Sequence, residues 1–503
     1  MTSELTSEDG WLRLDPKMLA VAPAQEVVRF VPLLIVAALA GGSENRQWWL
    51  LGALGTVVGL GLLRWVTTRY RVTAERMELR SGLVFRQHRS VPRDRVRTVD
   101  VTAKPLHRIF GLGVLRIGTG QHERGREGQL VLDAVSSAEA ERLRVVLLDR
   151  SAAADESLDG TAPPVRRGTE LARLSWAWLR FAPLTVLAVG SVGALLGGVW
   201  QLLNEAGVGL EDIGAARGVV DWLAERPAGI VVAAAVGSLL VAGAIGSVAL
   251  YAEAWWGYRL TREPDGTLRV NRGLLAKRSV SLEERRLRGV EITEPLLLRA
   301  GRGARLSALG SNSPGGSGGG DRSALLPPAP RAEAHRVASA VLQTADATPP
   351  RHPRTVDTPT TAPLRRHPRA ALRRRLVRSV LPAAAVVLGL AAAGASGDLP
   401  YWPVLTAAAV LLPASVLVGV DRYRNLGHCL TEDYLVIRNG SLVRRTVALR
   451  RTGIIGWRVS QSVFQRAAGL ATATAVTAAG AGGYGVLDCD LTVAAELVSR
   501  NRG

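Results

Sequence analysis

The sequence predicts a membrane protein in which α-helical hairpins are joined to small α+β modules, the combination being used three times. Three observations predict this. One pattern recurs along the chain: residues 70–120, opening YRVTAERMELRSGLVF, match 258–310 and again 426–480. Self-similarity of this kind marks a repeated structural unit. Each copy follows a pair of apolar stretches: 30–42 with 48–63, 181–200 with 229–250, and 379–397 with 401–420. Within each copy, short β-compatible runs alternate with turn residues and end on a helical pattern.

A helix needs about 20 apolar residues to cross the hydrocarbon core, and about 17 suffice. The last four stretches meet this length. The first pair is short and reaches it only by taking in Glu26 and Arg29, so a re-entrant or interfacial hairpin stays open for it. Trp48, Trp49, Trp65, Trp176, Trp178, Trp200, Trp255, Trp256 and Trp402 lie at or near the ends of the stretches, as an aromatic belt requires. The connector 201–227 carries Glu205, Glu211, Asp212, Asp221 and Glu225 against Arg217 and Arg226, whereas 64–97, 259–305 and 365–378 are crowded with arginine. By the positive-inside rule the N-terminus and all three modules are expected in the cytoplasm of a bacterium, on its inner membrane. Met1–Gly10 is polar and acidic, unlike a cleavable signal peptide. The expected division is 1–66 (N-terminal segment and hairpin 1), 67–150 (module 1), 151–256 (linker and hairpin 2), 257–345 (module 2), 346–422 (basic linker and hairpin 3) and 423–503 (module 3).

The formal charge of +20 would suggest nucleic acid in a soluble chain, but 47% of residues are hydrophobic and the arginines cluster beside the apolar stretches. A membrane explains both, and no nucleic-acid partner is expected. Cys429 and Cys489 are too few for a disulfide framework or a tetrahedral metal site, and they read as reduced core thiols. The seven histidines are scattered, without HxxxH or HxH spacing. No metal or cofactor is expected.

In the first module the β-compatible runs are 70–73, 77–80, 83–91, 96–101, 114–119 and 129–133, which predicts a small antiparallel sheet or partly open barrel. Ser136 and Glu139 then form an S-x-x-E capping box before AEAERLRVVLL, so the unit closes with a helix. Between the fourth and fifth strands lies KPLHRIFGL (104–112), matched by SVFQRAAGL (462–470) and, in degraded form, by EPLLLRAG (294–301). Apolar residues at helical spacing ending on glycine predict a helical turn with a glycine cap.

A turn glycine (Gly82, Gly273, Gly440), a following strand pair, an (L/F)-x-R-x-x-G-L segment and a closing helix, all behind a two-helix hairpin, resemble the bacterial pleckstrin-homology-like (PH-like) modules of YdbS/YdbT-type membrane proteins. The resemblance covers nearly the whole chain, and three tandem copies fit the longer, YdbT-type arrangement. It implies a PH-like sheet capped by a helix, and supplies no known activity.

Several motifs have ordinary readings. The tract 311–321 lacks the GK[ST] ending of a phosphate loop and reads as an expanded loop; Gly315–Gly319 (G-x-S-x-G) and Gly480–Gly485 (G-x-G-x-x-G) lack the strand-to-helix setting those patterns need. Glu283–Glu284 and Asp488–Asp490 are not repeated between modules and read as solvated surface charge. Catalysis has no candidate. The candidate binding residues are arginines. Arg108 and Arg466 share one place in the helical turn and Arg299 lies one position away, while Arg373, Arg374 and Arg375 belong to the juxtamembrane run 363–378. These are the candidate contacts for anionic lipid headgroups, the turn arginines with Leu106, Ile109 and Phe464 touching the interface; a solvated arginine above a buried apolar face stays open for the turn, and a topology determinant for the run. The expected function is a non-enzymatic scaffold or interaction platform at the inner membrane surface, serving envelope maintenance, with the bilayer and another membrane protein as partners. The alternative is a transporter or lipid-handling protein.

Overall fold

The computed structural model describes residues 11–13, 15–17, 67–73, 75–81, 87–92, 96, 98–103, 105–118, 129–148, 168–185, 197, 201, 226–264, 266–310, 323–343, 359–396, 400–478 and 480–500. They fall into two compact units, Met1–Glu283 and Glu284–Gly503. The division lies within the segment 257–345.

In the first unit, β1 (Leu12–Arg13), β2 (Arg69–Val72), β3 (Arg76–Ser81) and β4 (Gln87–Pro92) form an antiparallel sheet in that order. The next strands are β5 (Thr98–Ala103), β6 (Leu112–Gly118) and β7 (Gln129–Ser136), with the turn helix α1 (Pro105–Ile109) between β5 and β6 and α2 (Ser137–Leu148) after β7. Tyr70, Met77 and Leu79 from the first sheet meet Val99, Leu115, Ile117, Leu130 and Leu132 from the second, while Leu143 and Leu147 of α2 close the core. Alternate residues point inward, as a half-buried strand requires. The closing helix is the one the sequence predicts, whereas the expected small sheet or partly open barrel takes the form of two sheets packed face to face.

The second sheet does not stop at β5. The chain continues through β8 (Thr169–Arg173), the spanning helix α3 (Ala228–Trp255), β9 (Arg259–Arg262), β10 (Thr267–Arg272) and β11 (Lys277–Glu283), and the sheet runs β7-β6-β5-β11-β10-β9-β8. The last strand of one repeat's first half is thus hydrogen-bonded to the first strand of the previous repeat's second half. The same plan holds in the second unit. There β12 (Leu287–Pro295), β13 (Gly303–Gly310) and β14 (Ala324–Pro330) share a sheet, in the order β14-β13-β12-β17-β16-β15, with β15 (Gly427–Leu430), β16 (Tyr434–Asn439) and β17 (Val443–Arg450). The turn helix α4 (Leu296–Ala300) precedes β13, and α5 (Arg331–Leu342) follows β14, burying Ala334, Val337 and Val341. A fourth sheet, β18 (Ile454–Ser460), β19 (Leu470–Thr477) and β20 (Gly483–Asp490), includes the turn helix α8 (Val463–Ala467) between its first two strands, and α9 (Leu491–Arg500) follows it. Leu435, Ile437, Val447 and Leu449 pack on Ala473, Ala475, Val486, Val493 and Leu497, with Leu309 of β13 joining the same core.

The expected order, each module placed behind its hairpin, needs a correction, and the repeats are joined in a way the sequence leaves open. Neighbouring repeats share sheets. The hairpin region also lies inside the module: β8, before α3, pairs with β9 after it; β1 pairs with β2 across the first apolar pair; and Arg365 bridges to His428 across α6 (Arg369–Ala395) and α7 (Tyr401–Arg424). Both ends of such an insertion are held by backbone pairing, between two strands in the first two cases and between Arg365 and β15 in the third.

Among the described residues, α3, α6 and α7 are long and apolar enough to cross a bilayer. At about 1.5 Å per residue, 24 to 28 residues give roughly 36–42 Å. Their large side chains face outward, Leu240, Leu388 and Leu417 among them, which suits a lipid environment. Gly419 of α7 lies against Leu376 of α6, where an added Cβ would come within 3.0 Å of the leucine side chain. Small residues at such a crossing let membrane helices approach closely. The first apolar pair and most of 181–200 lie outside the described residues, as does the tract 311–321.

Candidate membrane-proximal site

The turn helices build the site. Each has five residues and carries arginine in fourth place: Arg108 in α1, Arg299 in α4 and Arg466 in α8. Arg299 is therefore at the matched position, not one removed. The sequence misleads because the left-handed residue that ends the turn, Gly111 or Gly469 in the outer copies, is Arg302 (φ +57°) in the middle one. In α8 the start is set by a capping box in which Ser462 and Gln465 satisfy each other's backbone amides.

The first two arginines do the same thing. Arg108 Nη1 donates to the Leu274 carbonyl at 2.7 Å. Arg299 approaches the Ser441 carbonyl at 3.5 Å and pairs with Asp421 Oδ1 at 3.1 Å. Leu274 and Ser441 are equivalent, each following the turn glycine of the next repeat. These turns sit against the ends of spanning helices. The Leu274 and Gly273 amides donate to the Glu253 and Trp256 carbonyls at 2.9 Å, and Ser441 Oγ donates to Asp421 Oδ2. The last carbonyls of a helix have no partner of their own, so the turn supplies donors where they are needed, and a cation there opposes the helix dipole favourably. Exposed Ile109 and Leu275 flank the first such seam, and Leu296, Leu297 and Leu442 the second. A set of apolar side chains, each beside an arginine at a helix end, is suited to the headgroup boundary. Arg466 differs: it is exposed beside exposed Val463 and Phe464, and among the described residues it has no side-chain partner.

The juxtamembrane arginines also divide. Arg373 is exposed. Arg374 and Arg375 turn inward to Asp488, Arg375 reaching it through Nε at 2.8 Å and Nη2 at 2.6 Å. Asp488 is fully buried and also accepts from Gln465 Nε2 at 2.9 Å. The reading of Asp488 as solvated charge is thus overturned, and Glu284 likewise is buried. An isolated carboxylate cannot be left in a core, but one with two guanidinium partners can. Sequence reasoning missed this because the partners are more than a hundred residues apart.

A second cluster adjoins it. His367 and His428 meet at 3.2 Å, and the other His367 nitrogen lies 3.1 Å from the Asp488 carbonyl. Burial, then the neighbouring His367 and Arg365, push His428 down to about 4, and burial lowers His367 as well. Nothing in the spacing of 367 and 428 announces the pair. The cysteines are free thiols, Cys489 buried with its pKa raised by burial. Gly480–Gly485 forms the turn and first residues of the β19–β20 hairpin, not a strand-to-helix loop.

PH-like sandwiches whose strands embrace spanning helices define a membrane protein built from PH-like modules. The family model described as Bacterial PH domain matches residues 26–151 and 380–500, on either side of the copy in which Arg302 replaces the glycine. The chain belongs to the bacterial PH-domain membrane proteins that include YdbT and YdbS. The UPF0699 transmembrane protein YdbT of Bacillus subtilis (strain 168) is 24% identical over 435 residues, covering 82% of this chain and 79% of YdbT. The UPF0699 transmembrane protein YdbS of the same organism is 30% identical over 144 residues, 26% of this chain and 87% of YdbS. No solved structure matches the chain.

Proposed function

We propose that the chain is a non-catalytic scaffold of the bacterial inner membrane, holding three PH-like modules against the cytoplasmic bilayer surface and there engaging anionic headgroups and a membrane-protein partner in envelope maintenance. The observation that carries this reading is the insertion of spanning segments between backbone-paired neighbours, β8 with β9 and Arg365 with His428, which holds the sheets containing β9 and β15 at the helix ends and raises their effective concentration toward anything on that surface. Of the six candidate arginines, Arg466 and Arg373 are left for lipid phosphate; Arg108 and Arg299 hold seams, and Arg374 and Arg375 neutralise Asp488. Transport is the weaker reading. A substrate path usually shows charged groups within the spans, and 229–250, 379–395 and 401–420 have none.

The lipid arm is tested on the full chain in nanodiscs containing a photoreactive phosphatidylglycerol. Labelling of the Phe464–Arg466 peptide is expected, reduced several-fold by Arg466→Glu and by salt, since the screening length contracts from about 10 Å at 0.1 M to about 3 Å at 1 M. Equal labelling of wild type and variant removes the headgroup assignment. The orientation is tested by a reporter active only outside the membrane: signal is expected at Gly207 and silence at Gly125 and Gly316, and a signal at Gly125 reverses the topology.

A further inference from the structure

The two sheet junctions inside the chain are made in one register. β5 pairs antiparallel with β11 from Thr98↔Leu282 to Ala103↔Lys277, and β12 with β17 from Gly289↔Leu449 through Glu294↔Arg444. Counted from the turn glycines Gly273 and Gly440 and the helix positions Arg108 and Arg299, these pairs are equivalent one for one. In the third repeat the strand equivalent to β5 and β12 is β18, and in the first repeat the strand equivalent to β11 and β17 is β4. Each is the outer strand of its sheet among the described residues. Their side chains show what the internal junctions cover. Ile292 of β12 is fully buried, whereas its counterpart Val459 on β18 is 44% exposed, with Ile455 exposed on the same strand. Thr446 and Ala448 of β17 are buried, whereas their counterparts His88 and Ser90 on β4 are exposed. Pro92, unable to donate to a ladder, falls one residue beyond the part of β4 that this register would pair.

We propose that β18 of one copy of this chain takes β4 of a second copy as its antiparallel neighbour, in the register Gly456↔Val91, Trp457↔Ser90, Arg458↔Arg89, Val459↔His88 and Ser460↔Gln87. Among the described residues the chain thus ends one sheet on a socket strand and another on the matching strand of a junction that it already makes twice internally. An edge strand presents unpaired amides and carbonyls that a strand of matching pattern completes. Such a contact is head-to-tail, so it builds rings or rows in the membrane plane instead of closed two-fold pairs. Arg466 stands where Arg108 and Arg299 secure the internal junctions. One pair is unfavourable: Arg458 opposes Arg89, where the internal junctions set Asp100 opposite Val280 and Glu291 opposite Val447. The association is therefore weaker than the internal seams, and confinement to the bilayer compensates by concentrating the copies.

The test uses two differently tagged full-length copies co-expressed in native membranes, both carrying Cys429→Ser and Cys489→Ala. With Val459→Cys in one copy and His88→Cys in the other, mild oxidation is expected to give a mixed-tag disulfide. Moving the second cysteine one residue out of register, to Gln87→Cys, is expected to lower the yield several-fold. Adding Arg458→Glu to the in-register pair turns a like-charge contact into an ion pair and is expected to raise the yield roughly two- to five-fold; Arg89→Glu together with Arg458→Glu is expected to return it. Three results overturn the proposal: equal yields in and out of register, a yield insensitive to Arg458→Glu, or no mixed-tag disulfide at all.

Discussion

Replacing Asp488 by Asn removes one negative charge from a site that holds two positive ones, and the cost follows from the geometry. The carboxylate is fully buried, while the Arg374 and Arg375 side chains are only 15% and 10% exposed. Removing one partner of a buried charge network strands the remaining ions in a medium of low dielectric, which costs about 3–5 kcal/mol. Arg374 recovers a little water, which places the expectation near the lower end, about 3 kcal/mol. Asn isolates the charge, because Asp488 sits at φ +55° and Asn tolerates the left-handed region; Asp488→Ala adds a backbone penalty of about 1 kcal/mol or more to the same loss. For a unit of this size each kcal/mol moves the midpoint by about 2–4 °C, so Asn is expected to lower the apparent melting temperature by about 6–12 °C. Scanning fluorimetry of the detergent-solubilised full chain at pH 7.5 measures it. Arg374→Gln combined with Arg375→Gln should recover part of the loss in the Asn background, since the stranded charges are then gone. A midpoint for Asp488→Asn within about 1 °C of wild type would show that the network carries no net energy, and the reasoning would fail.

Two further outcomes are expected. His428 titrates at about 4 in the fold against 6.5 unfolded, so the unfolded chain takes up the proton first: stability is full above pH 6.5 and is lost as pH falls toward 4, by up to about 3 kcal/mol. A melting-temperature series over pH 7.5 to 4 should show this decline, and His428→Gln should make it shallower without abolishing it, since burial lowers His335 and His367 in the same direction. Gly440 lies at φ +101°, and a Cβ there would sit 2.0 Å from the Val443 carbonyl oxygen, so Gly440→Ala should destabilise the second unit by more than about 1 kcal/mol in the same fluorimetric assay, with Gly273→Ala doing likewise in the first.

Much of the module was legible because its signals are local. Period-two alternation, the S-x-x-E box before α2 and the arginine-to-glycine turn each lie within a few residues, where side-chain chemistry dictates backbone shape. The candidate site was legible only in part. Arg108 and Arg466 were found by their matched places, but what distinguishes them, a carbonyl partner for one and open surface for the other, depends on which strand lies alongside. Aligning the copies on glycine displaced Arg299, because Arg302 adopts the left-handed turn that glycine normally takes.

The repetition, the apolar stretches, the asymmetry of charge and the closing helix could all be read from the residues alone, since each depends on composition and short-range periodicity. That the repeats share sheets, that Asp488 is the buried partner of Arg374 and Arg375, and that His367 meets His428 came from the folded chain. The reason is physical. A strand edge is completed by backbone amides and carbonyls, which every residue but proline carries alike, so the pattern of side chains tells which face of a strand is buried and leaves unsaid which strand lies beside it. Ion pairs between residues more than a hundred positions apart are set by that choice of neighbour, and they exist only once it has been made.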